Sequence, residues 1–123
     1  VSATDGVARD ARAIAHRFIE AFNQRDADAL LAVLADDAEL RPLGSAPLRG
    51  HDGARALLAD AEERELRFVE LRGETAERLD EGRVRLTVPV RELIGPDDIE
   101  RIAEFEVRDG RIASFTVRRL SDV

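Results

Sequence analysis

Residues 21–44 read AFNQRDADALLAVLADDAELRPLG. Asn23 to Asp26 has the pattern of a helix end followed at once by a helix start. Asp26 is a good N-cap for the second helix, because an aspartate side chain can accept from the free backbone amides of a first turn. Leu30, Leu31 and Leu34 supply its apolar positions, and Asp36-Asp37 is expected to end it. A short strand, AELR over 38–41, then runs into Pro42. The stretch raises a functional question: whether that strand carries a catalytic acid.

Upstream, Val7, Ala11, Ile14, Ala15, Phe18 and Phe22 fall three or four residues apart. That spacing is one apolar face of a helix over about 6–23. Downstream, PLGSAPLRGHDG (42–53) is a loop rich in glycine and proline. Its glycines could cradle a phosphate, but no lysine follows them, so a connecting loop is the expectation. Asp52 can cap a third helix over 53–63, with Ala54, Leu57, Leu58 and Ala61 inward.

From residue 65 the period changes to two. ELRFVELRGETAERL reads as one long strand with a bulge near Phe68-Val69 or Gly73. Val84, Leu86, Val88 and Val90 alternate with polar residues on the next strand. IGPDD (94–98) makes a turn, Ala103, Phe105 and Val107 share a face, and RDG (108–110) makes a hairpin into RIASFTVRRL. Short turns imply antiparallel neighbours, and the helices are available to cover one sheet face. The expectation is one α+β domain over 1–123: a curved, mostly antiparallel β-sheet wrapped around the N-terminal helices.

Composition narrows the chemistry. A chain of 123 residues suits one core, and 37% charged residues make a dense ionic surface. A net charge of −7 argues against a general nucleic-acid binder. All 19 basic residues are arginine, so Schiff-base lysine chemistry is excluded. Without cysteine there are no disulfides or thiol nucleophiles. His16 and His51 are the two histidines, and their separation in sequence makes no metal site by itself. No apolar run approaches the ~18 residues of a membrane span, and no leader pattern opens the chain. No membrane association, no cofactor and a cytoplasmic location are the expectations.

FIEAFNQRDADALLAVLADDAELRP (18–42), LRGHDGARALL (48–58) and FEVRDGRIASFTVRR (105–119) together resemble the nuclear transport factor 2-like superfamily. That superfamily includes SnoaL-like polyketide cyclases and ketosteroid isomerases. The resemblance runs from about Ala8 to Arg119. It implies a cystatin-like cone with an apolar pocket between sheet and helices, commonly dimeric. Ketosteroid isomerases place a carboxylate base before the proline of the first strand. They add a tyrosine on helix one and a protonated aspartic acid on a late strand. The matching positions here are Arg41, Phe18 and Ala103. Arginine stays protonated and cannot be a base, and the other two have no donor. The resemblance therefore does not extend to isomerase chemistry.

If the resemblance sets the faces, Phe18, Leu40, Leu57, Val88, Val90, Phe105, Phe115 and Val117 point inward with Ala103. The same alternation brings Glu92, Arg101 and Arg119 to the inner face near the strand ends. A carboxylate beside two guanidiniums makes a poor general base; it can orient a ligand or form an ion pair. His51 is placed near the pocket mouth as a neutral-pH proton carrier, and His16 faces away from the apolar stripe. Arg41 has two readings. Inward, it anchors an anionic ligand; outward, it shares a face with Glu39 and leaves Leu40 inside.

Two functions compete. One is a SnoaL-like binder of a small apolar or amphipathic molecule, possessing or lacking an enzyme activity. The other is a non-catalytic dimerisation or interaction domain using the outer sheet face, where Ile112, Ser114 and Thr116 are expected. An interior cavity of roughly 300 Å3 or more supports the first, and a pocket plugged by Phe18, Phe105 and Phe115 the second.

Overall fold

The computed structural model describes residues 3–120, with side chains from residue 9 onward. Val7, expected on the apolar face of helix one, has its side chain outside the described residues. Helix α1 (Ala3–Gln24) alternates paired buried and paired exposed positions: Ile14 and Ala15 in, His16 and Arg17 out, Phe18 and Ile19 in. Two short helices follow, α2 (Ala27–Val33) and, after strands β1 (Leu34–Arg41) and β2 (Leu48–Arg49), α3 (Gly50–Arg64). Five further strands complete the chain: β3 (Leu66–Glu70), β4 (Thr75–Asp80), β5 (Arg83–Ile94), β6 (Asp97–Arg108) and β7 (Arg111–Arg119).

The strands form one sheet in the order β2-β1-β7-β6-β5-β3, with β4 also pairing β5. Every pairing is antiparallel except β1 with β7. The sheet folds around α1, as expected for an α+β cone. The β6–β7 turn has Asp109 and Gly110 at φ 52° and 81°. Two positive φ values in a two-residue loop match the right-handed twist of the flanking strands, and Asp-Gly is the sequence for it.

The helix junction at 23–26 is built as its sequence suggests. Arg25 is left-handed at φ 57°. Its amide donates to Phe22 O at 3.1 Å, and that of Asp26 to Ala21 O at 2.9 Å. This is a helix-closing motif that usually employs glycine. Asp26 then caps α2 by accepting from the Ala29 amide at 3.1 Å. The side chains at this junction do more. Asn23 Nδ2 donates to Phe68 O at 2.8 Å, and Asn23 Oδ1 accepts from the Phe68 amide at 2.9 Å. One amide side chain thus pairs the open edge of β3 as a neighbouring strand would. Arg25 donates to Phe22 O at 2.7 Å, Ala61 O at 3.0 Å and Leu66 O at 2.5 Å, with Glu62 Oε2 at 3.0 Å.

Several boundaries differ from expectation, each for a local reason. Leu34 belongs to β1 and not to the second helix. Asp36 and Asp37 end no helix; they stand exposed inside β1, where its register on β7 shifts between Leu34 and Glu39. The third helix starts earlier, at Gly50. Its N-cap position is Arg49, which makes no side-chain cap bond, and Asp52 lies in the first turn. Gly50 has φ 71°, and a Cβ there would meet Asp36 O at 3.1 Å. The long strand over 65–79 is two strands, β3 and β4, separated at 71–74 where Gly73 has φ 108°. Both lie antiparallel on successive lengths of β5. Ile112 is fully buried and faces inward, not outward. The β6–β7 register slips between the pairs Glu106–Ser114 and Val107–Ile112, which leaves Ala113 as the extra residue.

Two outcomes test this arrangement. Asn23→Ala leaves a backbone donor and acceptor of β3 without partners. It should cost about 2–3 kcal/mol in urea unfolding and speed hydrogen exchange at the Phe68 amide; an unchanged midpoint would show that water replaces the side chain fully. The second concerns His16, whose Nδ1 lies 2.9 Å from Glu70 Oε2 and whose Nε2 lies 3.5 Å from Glu20. The hydrogen bond and charge of Glu70 raise its pKa above the ordinary 6.5 against a small burial penalty, with Glu20 and Glu74 adding to the rise. A raised folded-state pKa stabilises below the unfolded value, and the gain is lost as pH rises through the folded value. The melting-temperature advantage of wild type over His16→Gln should therefore shrink as pH rises from below 6.5 through the raised folded-state value. A difference flat across that range would show that the α1–β3 contact carries no charge.

Candidate functional site at the cone and its rim

The candidate residues separate into three places. Phe18, Leu40, Leu57, Val88, Val90, Ala103, Phe105, Phe115 and Val117 come together inside the cone, each between 0% and 4% exposed. A cavity that admits water exposes the walls that line it, so these values describe a filled interior. Aromatic rings do the filling. The Phe18 ring centroid lies 4.6 Å from Phe115 and 5.4 Å from Phe105, and Phe105 lies 5.1 Å from Phe115. Phe22 and Phe68 extend the cluster, 5.1 Å apart. The tilted and edge-on geometries are those aromatic quadrupoles favour. The expected apolar lining is present and packed upon itself.

At the rim, Glu92 is 4% exposed, the buried charged side chain among the described residues. Arg101 Nε donates to Glu92 Oε1 at 3.2 Å. An isolated carboxylate in an apolar setting is costly, and the guanidinium offsets that cost. Arg119 is the strand partner of Arg101 but stands exposed at the end of β7. The inner-face expectation for these three therefore holds for backbone register, while only Glu92 and Arg101 touch.

The remaining two candidates lie elsewhere. Arg41 is turned outward. Its position pairs with Thr116, beside the inward pair Leu40–Phe115. Its guanidinium forms an ion pair with Glu39, whose other carboxylate oxygen meets Arg49 at 2.6 Å. Strand alternation decides this: one residue past an inward leucine faces out. His51 sits in the first turn of α3 with Nε2 at 3.6 Å from Asp36 Oδ1. That nitrogen is buried without a hydrogen-bond partner, and the ring makes no ion pair or hydrogen bond to Glu92, Arg101 or Arg119.

Clefts open at the surface, and one of about 170 Å3 reaches the α1–sheet interface at Ala11, Ile14 and Val107. Another of about 410 Å3 runs between α1 and α2, floored by Ala21, Ala29, Ala32 and Val33. A third of about 260 Å3 lies between the 42–48 loop and α3, against Leu57 and Asp60. A fourth of about 300 Å3 lies on the outer sheet face among Glu39, Arg41, Arg49, Arg108 and Ser114. No group of three or more metal-ligating side chains occurs among the described residues, and no described helix is long and apolar enough to cross a membrane.

Residues 15–115 match the family model described as a SnoaL-like domain, and the chain belongs to that family. Solved structures agree on the fold. A putative polyketide cyclase from Xanthomonas campestris pv. campestris is 27% identical over 94% of this chain and 95% of its own, with a TM-score of 0.67. A domain of unknown function with a cystatin-like fold from Nostoc punctiforme PCC 73102 is 14% identical over 97% of this chain and 79% of its own, with a TM-score of 0.76. The canthaxanthin-binding orange carotenoid protein of Anabaena (Nostoc) sp. PCC 7120 is 19% identical, with a TM-score of 0.75 over 88% of this chain. This chain spans 35% of that protein's length. No curated protein sequence matches the chain.

The packing gives the isomerase question a physical form. Phe18 is fully buried against two other rings, so a hydroxyl added there enters a full core. Phe18→Tyr should destabilise by roughly 1–3 kcal/mol. It should yield no turnover of a Δ5-ketosteroid, alone or with Ala103→Asp. Steroid turnover above the buffer rate by either protein would show that the interior opens.

Proposed function

We propose that this chain is a non-catalytic SnoaL-like domain that pairs with a second copy through its outer sheet face. Any small amphipathic molecule it binds lies at the rim of the cone and not inside it. The observation that carries this reading is the packed interior: three phenylalanine rings occupy the space in which a substrate would have to sit.

The outer face supports pairing in its charge and its composition. The chain as a whole carries −7, which opposes self-association. The outer face is locally balanced instead. Arg118 meets Glu104 at 2.9 Å, Arg108 meets Asp37 at 3.2 Å, Arg91 meets Asp98 at 3.1 Å, and Glu39 joins Arg41 and Arg49. Between these pairs run half-buried Thr87, Pro89, Ile102, Ser114 and Thr116. Strand register gives Ile102 the central outer position, between Pro89 and Arg118. Two such faces related by a two-fold axis bring balanced charge against balanced charge and bury a small apolar strip.

The second reading, ligand binding at the rim, is favoured by the buried Glu92–Arg101 pair, which has one edge in the core and one toward solvent. The pairing reading is tested by sedimentation velocity. Wild type should sediment as a dimer at tens of micromolar. Ile102→Arg, which sets a new cation beside Arg118 in both copies, should weaken the dimer tenfold or more while the melting curve stays cooperative. A wild-type monomer at that concentration overturns the proposal, as does a dimer indifferent to Ile102→Arg.

A further inference from the structure

The rim holds a charge arrangement that the described side chains do not balance. Arg101 and Arg119 are direct partners across β6 and β7. Direct antiparallel partners project from the same face with Cβ atoms about 5 Å apart, and like charges so placed repel. Both belong to the inner face, because Ala103–Val117 and Phe105–Phe115 alternate with them in the same register. Among the described residues, Glu92 is the carboxylate in contact. It takes the Nε–H of Arg101 through Oε1 at 3.2 Å. The two terminal nitrogens of Arg101 hydrogen-bond to no described residue, and Arg119 forms no ion pair among the described residues. The outer face differs: there Arg41, Arg49, Arg91, Arg108 and Arg118 each meet a carboxylate.

Burial makes this a seat and not a loose surface group. The Glu92 side chain is 5% exposed and that of Arg101 17%. The terminal nitrogens of Arg101 have no partner among the described residues, and the side chain keeps 17% of its surface exposed. Below lie Val90, the strand partner of Arg101, and Ala103 and Val117, all buried. Beside them, Ile99 is the strand partner of Glu92 and is 37% exposed. The rim therefore offers a held guanidinium edge, a second, exposed guanidinium and a partly exposed apolar side chain.

We propose that this rim binds an amphipathic monocarboxylate. The ligand's two oxygens accept from the two terminal nitrogens of Arg101 in a planar fork. Arg119 closes over the same oxygens from β7, and the apolar tail lies on Ile99. Glu92 is a positioning residue: by holding Nε it orients the fork and makes no contact with the ligand. Its negative charge also selects. Two cations and one fixed carboxylate leave one positive charge to answer, which suits a monoanion and disfavours a phosphate dianion. This inference rests on the rim reading given above and adds the chemical class.

The test titrates octanoate, below its micelle concentration, into isotopically labelled wild type and follows backbone amides by NMR. 1-Octanol and octylammonium are run in parallel. Octanoate should shift the amides of residues 99–103 and 117–119 and bind more weakly as salt is raised. Arg101→Gln should weaken binding tenfold or more, Arg119→Gln several-fold, and the outward Arg41→Gln should leave it unchanged. If Arg101→Gln fails to fold, Arg119→Gln decides. Equal octanoate affinity in wild type and the folded rim variants overturns the proposal. Octanol or octylammonium shifting the same amides as strongly as octanoate overturns the carboxylate class and leaves the rim reading standing. Silence at those amides with all three compounds overturns both.

Discussion

Two side chains at the end of α1 tie the helices to the sheet. Asn23 pairs both backbone groups of Phe68, on the edge strand β3. Arg25 gathers carbonyls from three elements: Phe22 of α1, Ala61 of α3 and Leu66 at the start of β3. Its guanidinium also lies 5.3 Å from the Phe22 ring centre. The left-handed backbone at Arg25 costs about 1–2 kcal/mol for a residue with a Cβ. Its hydrogen bonds offset that cost and explain why glycine does not occupy the position. A glycine would relieve the backbone and lose the clamp. The α1–α2 junction, the end of α3 and the closed edge of β3 all follow from this one knot.

With the knot in place, the interior becomes a packing problem, and phenylalanine solves it. All five phenylalanines of the chain are at most 4% exposed. Four of them lie on α1, β6 and β7, where the rings of Phe18, Phe105 and Phe115 meet. A fold with a concave sheet and a covering helix can leave a cavity or fill it. Close-packed interiors gain contacts that a cavity forfeits, so an unoccupied cone collapses onto large side chains where they are available. Here they are available, and the chemistry-bearing groups are left at the rim and on the outer face. The dispersal of the candidate residues into three places is a consequence of that filling.

Much of the architecture was legible because two periods were legible. The three-to-four spacing in α1 and the alternation in β5 and β6 give the helix face and the inner sheet face directly. The Asp109-Gly110 turn is written in its dipeptide. What was not legible is instructive. β1 begins at Leu34 because its pairing with β7, more than 70 residues away, overrides the helical look of 30–34. Ile112 faces inward because β7 carries an extra residue at Ala113; a bulge shifts every upstream position to the other face. Propensity has no term for it. Asn23 and Arg25 read as helix-end residues, and only the fold reveals that their side chains reach residues 36 to 45 positions away. At the site, alternation sufficed for Glu92 and Arg101. It left Arg41 open, since the register of a short strand against a distant partner decides which way it turns.

The absence of lysine acquires a structural sense from these sites. Arg25 uses four donor contacts in several directions, including its Nε–H to Glu62; an ammonium has three donors on one centre and cannot span them. Glu39 is shared between two guanidiniums on neighbouring strands, a planar arrangement that a point charge matches less well. At the rim, Arg101 gives its Nε–H to Glu92, and its terminal nitrogens have no partner among the described residues, a division of labour that only a forked cation permits. A codon preference can supply arginine everywhere. It does not explain positions at which the fork itself is used, and in this chain those positions coincide with the knot, the outer face and the rim. The same side chain thus closes the fold, neutralises the sheet and stands at the rim beside a buried carboxylate.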